Sequence, residues 1–187
     1  MYLNLSGLTT YTTSRDITTI ISLGANCQTR YHLQLHSKRK YGKDLSVSYF
    51  FDWVWRQGPI DGTISWLEQR LDLTATTWGL QALGDAWEVK ANEYGSLFPH
   101  DFAFTSNNRE TCEAEMQVQM RNFLAKYAFL RNRTFKAIRA SNNLALLCNT
   151  AISKEHYERL EKLIVKRFGK NEFTIFSFPD HKIVSGQ

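Results

Sequence analysis

Five consecutive apolar residues, Leu144-Ala145-Leu146-Leu147-Cys148, stand between the polar pairs Asn142-Asn143 and Asn149-Thr150. A strand with one wet face alternates apolar and polar side chains, whereas an unbroken run is covered on both faces, as in parallel sheets flanked by helices. The C-terminal residues fit that architecture. Ser153, with Glu155 and His156 in the first turn, opens a helix through Phe168 with apolar positions Tyr157, Leu160, Leu163 and Ile164. Gly169 ends it, and Phe173 to Phe178 is a further strand stopped by Pro179.

The same alternation is legible upstream. Ile20, Ile21 and Leu23 read as the end of a strand, Gly24 as a sharp turn, and Asn26 as the cap of a helix running to His36, with Tyr31, Leu33 and Leu35 available for packing. Leu45 to Val54, rich in β-branched and aromatic residues, predicts a second strand. After Gly58-Pro59, Asp61 is expected to cap a helix with face Ile64, Leu67 and Leu71. The glycine-punctuated segment with Trp78 and Trp87 predicts short irregular strands or a lid, and Tyr94 to Phe104 another strand with Pro99 at its edge. From Asn108 to Ala140 runs the longest helical stretch, whose stripe of Cys112, Met116, Met120, Phe123 and Tyr127 marks a core face.

The expected fold is therefore α/β, a single three-layer domain over residues 1–187 with a mostly parallel sheet. The alternative is an α+β papain-like arrangement, in which a cysteine-bearing helix packs on an antiparallel sheet. Met1 to Asp16 is Thr- and Ser-rich and reads as a flexible or peripheral segment without the character of a secretory signal. No apolar run approaches the roughly 20 residues of a membrane span, so a cytoplasmic location is the default expectation.

With 187 residues the chain needs neither disulfides nor a structural metal to build a core. Cys27, Cys112 and Cys148 are widely spaced and form no metal-binding pattern. His32 and His36 share a helical face but lack a third ligand, so no metal and no cofactor are expected. The net charge of +5 falls in short groups at Ser37 to Lys40, Arg131 to Arg139 and Lys162 to Lys170, as solvated helix faces do, which argues against nucleic acid.

In an α/β sheet, sites gather at the C-terminal ends of strands. Cys27, Asp52, His100 or Asp101, Asn149, and Asp180 with His181 each follow one of the five apolar runs. Cys27 falls in a first helical turn, where free N–H groups and the positive end of the helix dipole favour the thiolate.

Three segments, Ser22-Leu23-Gly24-Ala25-Asn26-Cys27, Phe51-Asp52-Trp53 and Phe98-Pro99-His100-Asp101-Phe102, resemble in order and spacing the DUF1796 family, a bacterial family of unknown function described as papain-like cysteine peptidases. The resemblance runs from about Ile20 to Phe178, its last third mostly in pattern; where relatives usually carry a basic residue after the fourth strand, this chain has Cys148-Asn149-Thr150. It implies a Cys/His site. Cys27 is then the nucleophile, His100 the base, and Asp52 or Asn149 the group that orients the imidazole. Asp101 adjoins His100 on an expected extended backbone, where neighbouring side chains diverge, and so orients it poorly. Oxyanion and substrate contacts are assigned to the backbone N–H of Cys27, to Asn26 and Gln28, and to Trp53 and Asp101.

The expected reaction is hydrolysis of, or acyl transfer from, a peptide, amide or ester, glycan-linked substrates included. Two other readings compete. Asp180 and His181 suit the ordering of SGNH-type esterases, although their Gly-Asp-Ser nucleophile segment is missing. Alternatively, Lys38, Arg39 and Lys40 with the Trp78 to Trp87 segment suit a non-catalytic module for a phosphorylated or anionic glycan.

Overall fold

The computed structural model describes residues 19–24, 28–42, 47–52, 54–56, 60–148, 150–170 and 172–177. In chain order the elements are β1 (Thr19–Ser22), α1 (Gln28–Tyr41), β2 (Trp55–Arg56), α2 (Asp61–Glu68), β3 (Trp78–Leu83), β4 (Ala86–Ala91), a 3-10 turn (Asn92–Tyr94), β5 (Ser96–Leu97), α3 (Arg109–Ala140), β6 (Leu144–Cys148), α4 (Lys154–Phe168) and β7 (Phe173–Ser177). They form a mixed α/β fold with two sheets, one parallel and one antiparallel.

The parallel sheet has the order β1-β6-β7, with Ile20 opposite Ala145 and Leu146 opposite Ile175. Its centre is the continuous apolar run, and Leu144, Ala145, Leu146 and Cys148 are all buried. On β1 only Ile21 and Ser22 are buried, while Ile20 is 37% exposed, as suits a strand at a sheet margin. Since all three strands point the same way, their C-terminal ends share one edge, and the Leu23 N–H extends the ladder by donating to the Leu147 carbonyl at 2.8 Å.

Helix α3 spans 32 residues. Asn108 caps it, its side chain accepting from the Thr111 N–H, and its buried stripe runs through Cys112, Met116, Phe123, Tyr127, Leu130, Thr134 and Ile138. Ser153 caps α4 in the same way by accepting from the His156 N–H, and Gly169 ends that helix at φ +65°, where a side chain would be strained. Leu160, Leu163 and Ile164 form its buried face.

The antiparallel sheet has the order β2-β5-β4-β3. Trp78 to Leu83 and Ala86 to Ala91 form a regular hairpin around Gly84-Asp85, so the segment expected as irregular strands or a lid is a hairpin. Its inner end is pinned by Trp78, whose ring meets Phe98 at 5.5 Å and Phe123 at 5.1 Å. Edge-on ring contacts continue through Phe50, Trp66, Phe98, Phe123 and Tyr127 at centroid distances of 5.0 to 5.6 Å where Phe50 or Phe98 is a partner. Each such pair contributes about 1 kcal/mol beyond the area it buries.

Four local expectations are corrected. Val47 to Tyr49 is not a strand and Phe50 to Asp52 is a turn, so the aromatic run predicted as β structure supplies core rings from an irregular segment. Between Tyr94 and Phe104 only Ser96–Leu97 is strand, followed by a turn over Pro99 to Asp101. Asp61 lies in the first turn of α2 but does not cap it, because Ile60 is the N-cap and the carboxylate is drawn to α4. Among the described side chains of α1 the buried ones are Arg30 and Ser37, while Tyr31 is exposed and Leu33 and Leu35 are half-buried.

Candidate functional site

Gly24 leaves β1 at φ +85°, which strains any side chain, and residues 51–54 lie within ordinary contact of it: a Cβ there would lie 3.5 Å from the Phe51 Cβ, 3.7 Å from the Phe51 carbonyl oxygen and 3.8 Å from that of Val54. The turn carrying Asp52 is therefore packed on the strand end that leads toward Cys27. Leu23 is fixed from the other side, its carbonyl accepting from the Thr63 hydroxyl of α2 at 2.9 Å. The Ser22 hydroxyl accepts from the Gly24 N–H at 3.2 Å.

The turn itself is held by two polar anchors. The Asp52 carboxylate accepts from the Tyr49 N–H at 2.7 Å, closing the turn on itself. The Phe50 N–H donates to the Thr134 hydroxyl of α3 at 3.0 Å, and that hydroxyl donates to the Leu130 carbonyl at 2.8 Å.

Asp52 is 2% exposed. Burial pushes its carboxyl up from 3.8 to about 6, against the opposing pull of the Tyr49 N–H and of the Arg30 guanidinium. Arg30, in the first turn of α1, is 4% exposed. A cation with so little access to water is expensive unless an anion shares its surroundings, and Asp52 is the acid its field acts on here. The Tyr49 phenol also rises, from burial first and from Asp52 second.

His100 reaches the same region through the antiparallel sheet. Trp55 of β2 pairs with Leu97 of β5, and the Trp55 ring meets the His100 ring edge-on at 5.9 Å. The Phe98 to Asp101 turn separates the two neighbouring polar residues by direction. His100 is exposed, whereas Asp101 is turned onto α3, where its carboxylate accepts from the Tyr127 hydroxyl at 2.8 Å and pairs with Lys126. Asp101 thus anchors the turn to α3. The Tyr127 phenol is raised well above its ordinary value by burial, by Asp101 and by Asp52, so both carboxylates act on one buried hydroxyl.

Of the residues singled out in sequence, Asp52 lies in the turn whose Phe51 neighbours Gly24, and His100 lies in the turn after β5 with its ring against Trp55 of β2. Asn26, Cys27, Trp53, Asn149, Asp180 and His181 lie outside the described residues, as does the side chain of Gln28, whose backbone begins α1. His32 and His36 are exposed on α1, and Lys38, Arg39 and Lys40 are exposed in its last turn. Cys112 and Cys148 are both fully buried, and burial followed by the Glu115 charge raises the Cys112 thiol.

Two features escaped sequence reasoning. Arg30 carries no periodic signal, since α1 lacks a clear apolar stripe. The second is a polar chain joining α2 to α4: the His156 ring lies with Nδ1 3.0 Å from the Ser153 hydroxyl and Nε2 3.1 Å from Asp61, while Arg159 bonds Glu68 in bidentate fashion at 2.9 and 2.7 Å. Its one sequence hint is a histidine three positions after a capping serine. Among the described residues no group of three His, Cys, Asp or Glu side chains is placed to hold a metal ion, and no helix is long and apolar enough to cross a membrane.

No family model matches the chain, and no curated protein or solved structure matches it either. The DUF1796 resemblance therefore rests on the three sequence segments alone.

Proposed function

We propose that the chain is a cysteine-dependent hydrolase or acyltransferase of the DUF1796 type, acting from a single three-layer cytoplasmic domain on a peptide, amide or ester, glycan-linked substrates included. The observation that carries this reading is the packing of the Asp52 turn on Gly24, three residues before Cys27. Supporting it are the burial of the Asp52 acid and the contact of the His100 ring with Trp55, three residues along the chain from Asp52.

In this mechanism His100 takes the Cys27 proton, and the thiolate attacks the substrate carbonyl carbon, forming an S–C bond and an oxyanion. The Cys27 N–H, with Asn26 or Gln28, donates to that oxyanion. Its collapse breaks the bond to the amine or alcohol, which leaves with the proton held by His100. Water, or an acceptor amine or alcohol, then gives a proton to His100 and attacks the thioester; the sulfur departs as thiolate. Asp52 or Asn149 orients the imidazole, while Trp53 and Asp101 are assigned to substrate contact, Asp101 through the turn it anchors.

Because Cys112 and Cys148 are buried, alkylation of the native protein reports on Cys27. Iodoacetamide at neutral pH is expected to modify Cys27, mapped by mass spectrometry, and His100→Ala to slow that reaction about tenfold or more by removing the base. A Cys27 that resists alkylation in the folded protein, or reacts equally fast without His100, overturns the reading.

A further inference from the structure

The positive charge is dispersed along the chain but not in the fold. Two of its three basic groups, Arg131 to Arg139 and Lys162 to Lys170, meet where the end of α3 lies against the end of α4. Phe135 and Phe168 touch at 5.4 Å, and the Arg139 guanidinium lies 5.9 Å from both ring centroids, within cation–π range of each. Lys170 is turned to the same corner, donating to the Ser141 carbonyl just beyond α3. Between Met116 and Lys154 the sequence contains no Asp or Glu.

A shallow, open groove of about 460 Å³ runs here, lined by Asn132, Phe135, Lys136, Arg139 and Ala140. No acid lines it. One turn back along the helix, Phe129 is 56% exposed, with the Arg133 guanidinium 4.4 Å from its ring centroid.

We infer that this groove on the C-terminal end of α3 binds single-stranded nucleic acid, a function separate from the Cys27 site. An open groove does not enclose a small ligand, so affinity must come from repeated contacts along an extended polyanion. Lys136 and Arg139 in the groove, with Arg133 and Lys170 beside it, supply a row of cations for successive phosphates. The Arg139 fork, already held by two rings, loses little freedom on binding a phosphate. Phe129 presents a ring face on which an unpaired base stacks, which a duplex does not offer. An acidic membrane is the poorer partner, because Phe135 and Phe168 are engaged by Arg139 and the exposed ring of Phe129 does not by itself form an insertion face.

The test is fluorescence anisotropy with a labelled oligothymidylate of about 20 nucleotides. Four phosphate contacts predict that log affinity falls against log salt with a slope of about −3. Lys136→Glu and Asn132→Glu, both at exposed positions, are expected to weaken binding about tenfold or more. Lys154→Glu, the same charge change at the far end of α4, is expected to leave affinity within about twofold. Equal losses at Lys136 and Lys154, an affinity indifferent to salt, or binding to phosphatidylserine vesicles without binding to the oligonucleotide each overturns the inference.

Discussion

Thr134 is the point at which the long helix α3 holds the turn bearing Asp52, and replacing it with valine isolates that connection. The hydroxyl is buried, accepts from the Phe50 N–H at 3.0 Å and donates to the Leu130 carbonyl at 2.8 Å. Valine has nearly the same shape, so packing is largely kept while the Phe50 N–H loses its acceptor in a site closed to water. An orphaned buried donor costs about 2 kcal/mol. The released Leu130 carbonyl adds less, since a carbonyl with one remaining partner is nearly satisfied. Thr134→Ser keeps the oxygen and loses one methyl, for about 1 kcal/mol. In urea unfolding Thr134→Val should lie below Thr134→Ser, which should lie below wild type. In a chain of this length the Val variant should melt about 4–8 °C below wild type. Cys27 alkylation should also slow, because Phe51, the neighbour of Phe50, lies against Gly24. If Thr134→Val lies within about 0.5 kcal/mol of wild type, or Ser is the more damaging change, the hydroxyl is not what fixes the turn.

Asp52→Asn tests the buried acid by pH. A carboxyl raised from 3.8 to about 6 binds its proton more tightly folded than unfolded, so its contribution is full below about pH 4 and is lost as pH rises through 6. The Asn variant should therefore gain on wild type by about 3 kcal/mol between pH 4 and 7 in urea melts, and a difference that is flat or reversed refutes the shift. Ser153→Ala should cost about 1 kcal/mol through the lost α4 cap, whereas Ser153→Asp should restore most of it; equal stability of all three proteins would refute the capping role. Tyr127→Phe removes the hydroxyl donor to Asp101 and should cost about 2 kcal/mol in the same assay, with no loss refuting the anchor.

The parts of the fold legible in sequence are those where one short-range rule suffices. An unbroken apolar run made β6, a periodic apolar stripe marked α3, a capping serine made the start of α4, and a glycine free to take positive φ ended α4. Residues 47–52 were not legible, because Phe50 and Phe51 have the composition of a strand while their shape is set by Thr134, on a helix far along the chain, and by the Asp52 carboxylate. Local preference gave way there to tertiary contact. Arg30 was hidden for a related reason: it is buried on a helix whose sequence has no apolar stripe to mark an inward face. His100 and Asp101 were both visible as polar residues after an apolar run, but their division of labour was not, since it depends on Tyr127 and Lys126.

In the parallel sheet Thr19 pairs with Leu144, so most of the polypeptide must be made and arranged before the first strand finds its neighbour. Such closure is entropically late. The hairpin and the long helix, whose contacts are nearer in sequence, are then the parts that assemble early, and β1 docks onto them last. The strand that leads in sequence to Cys27 is thereby among the first places the native protein opens, so a loss of the base-assisted reactivity proposed for Cys27 doubles as a sensor of that opening.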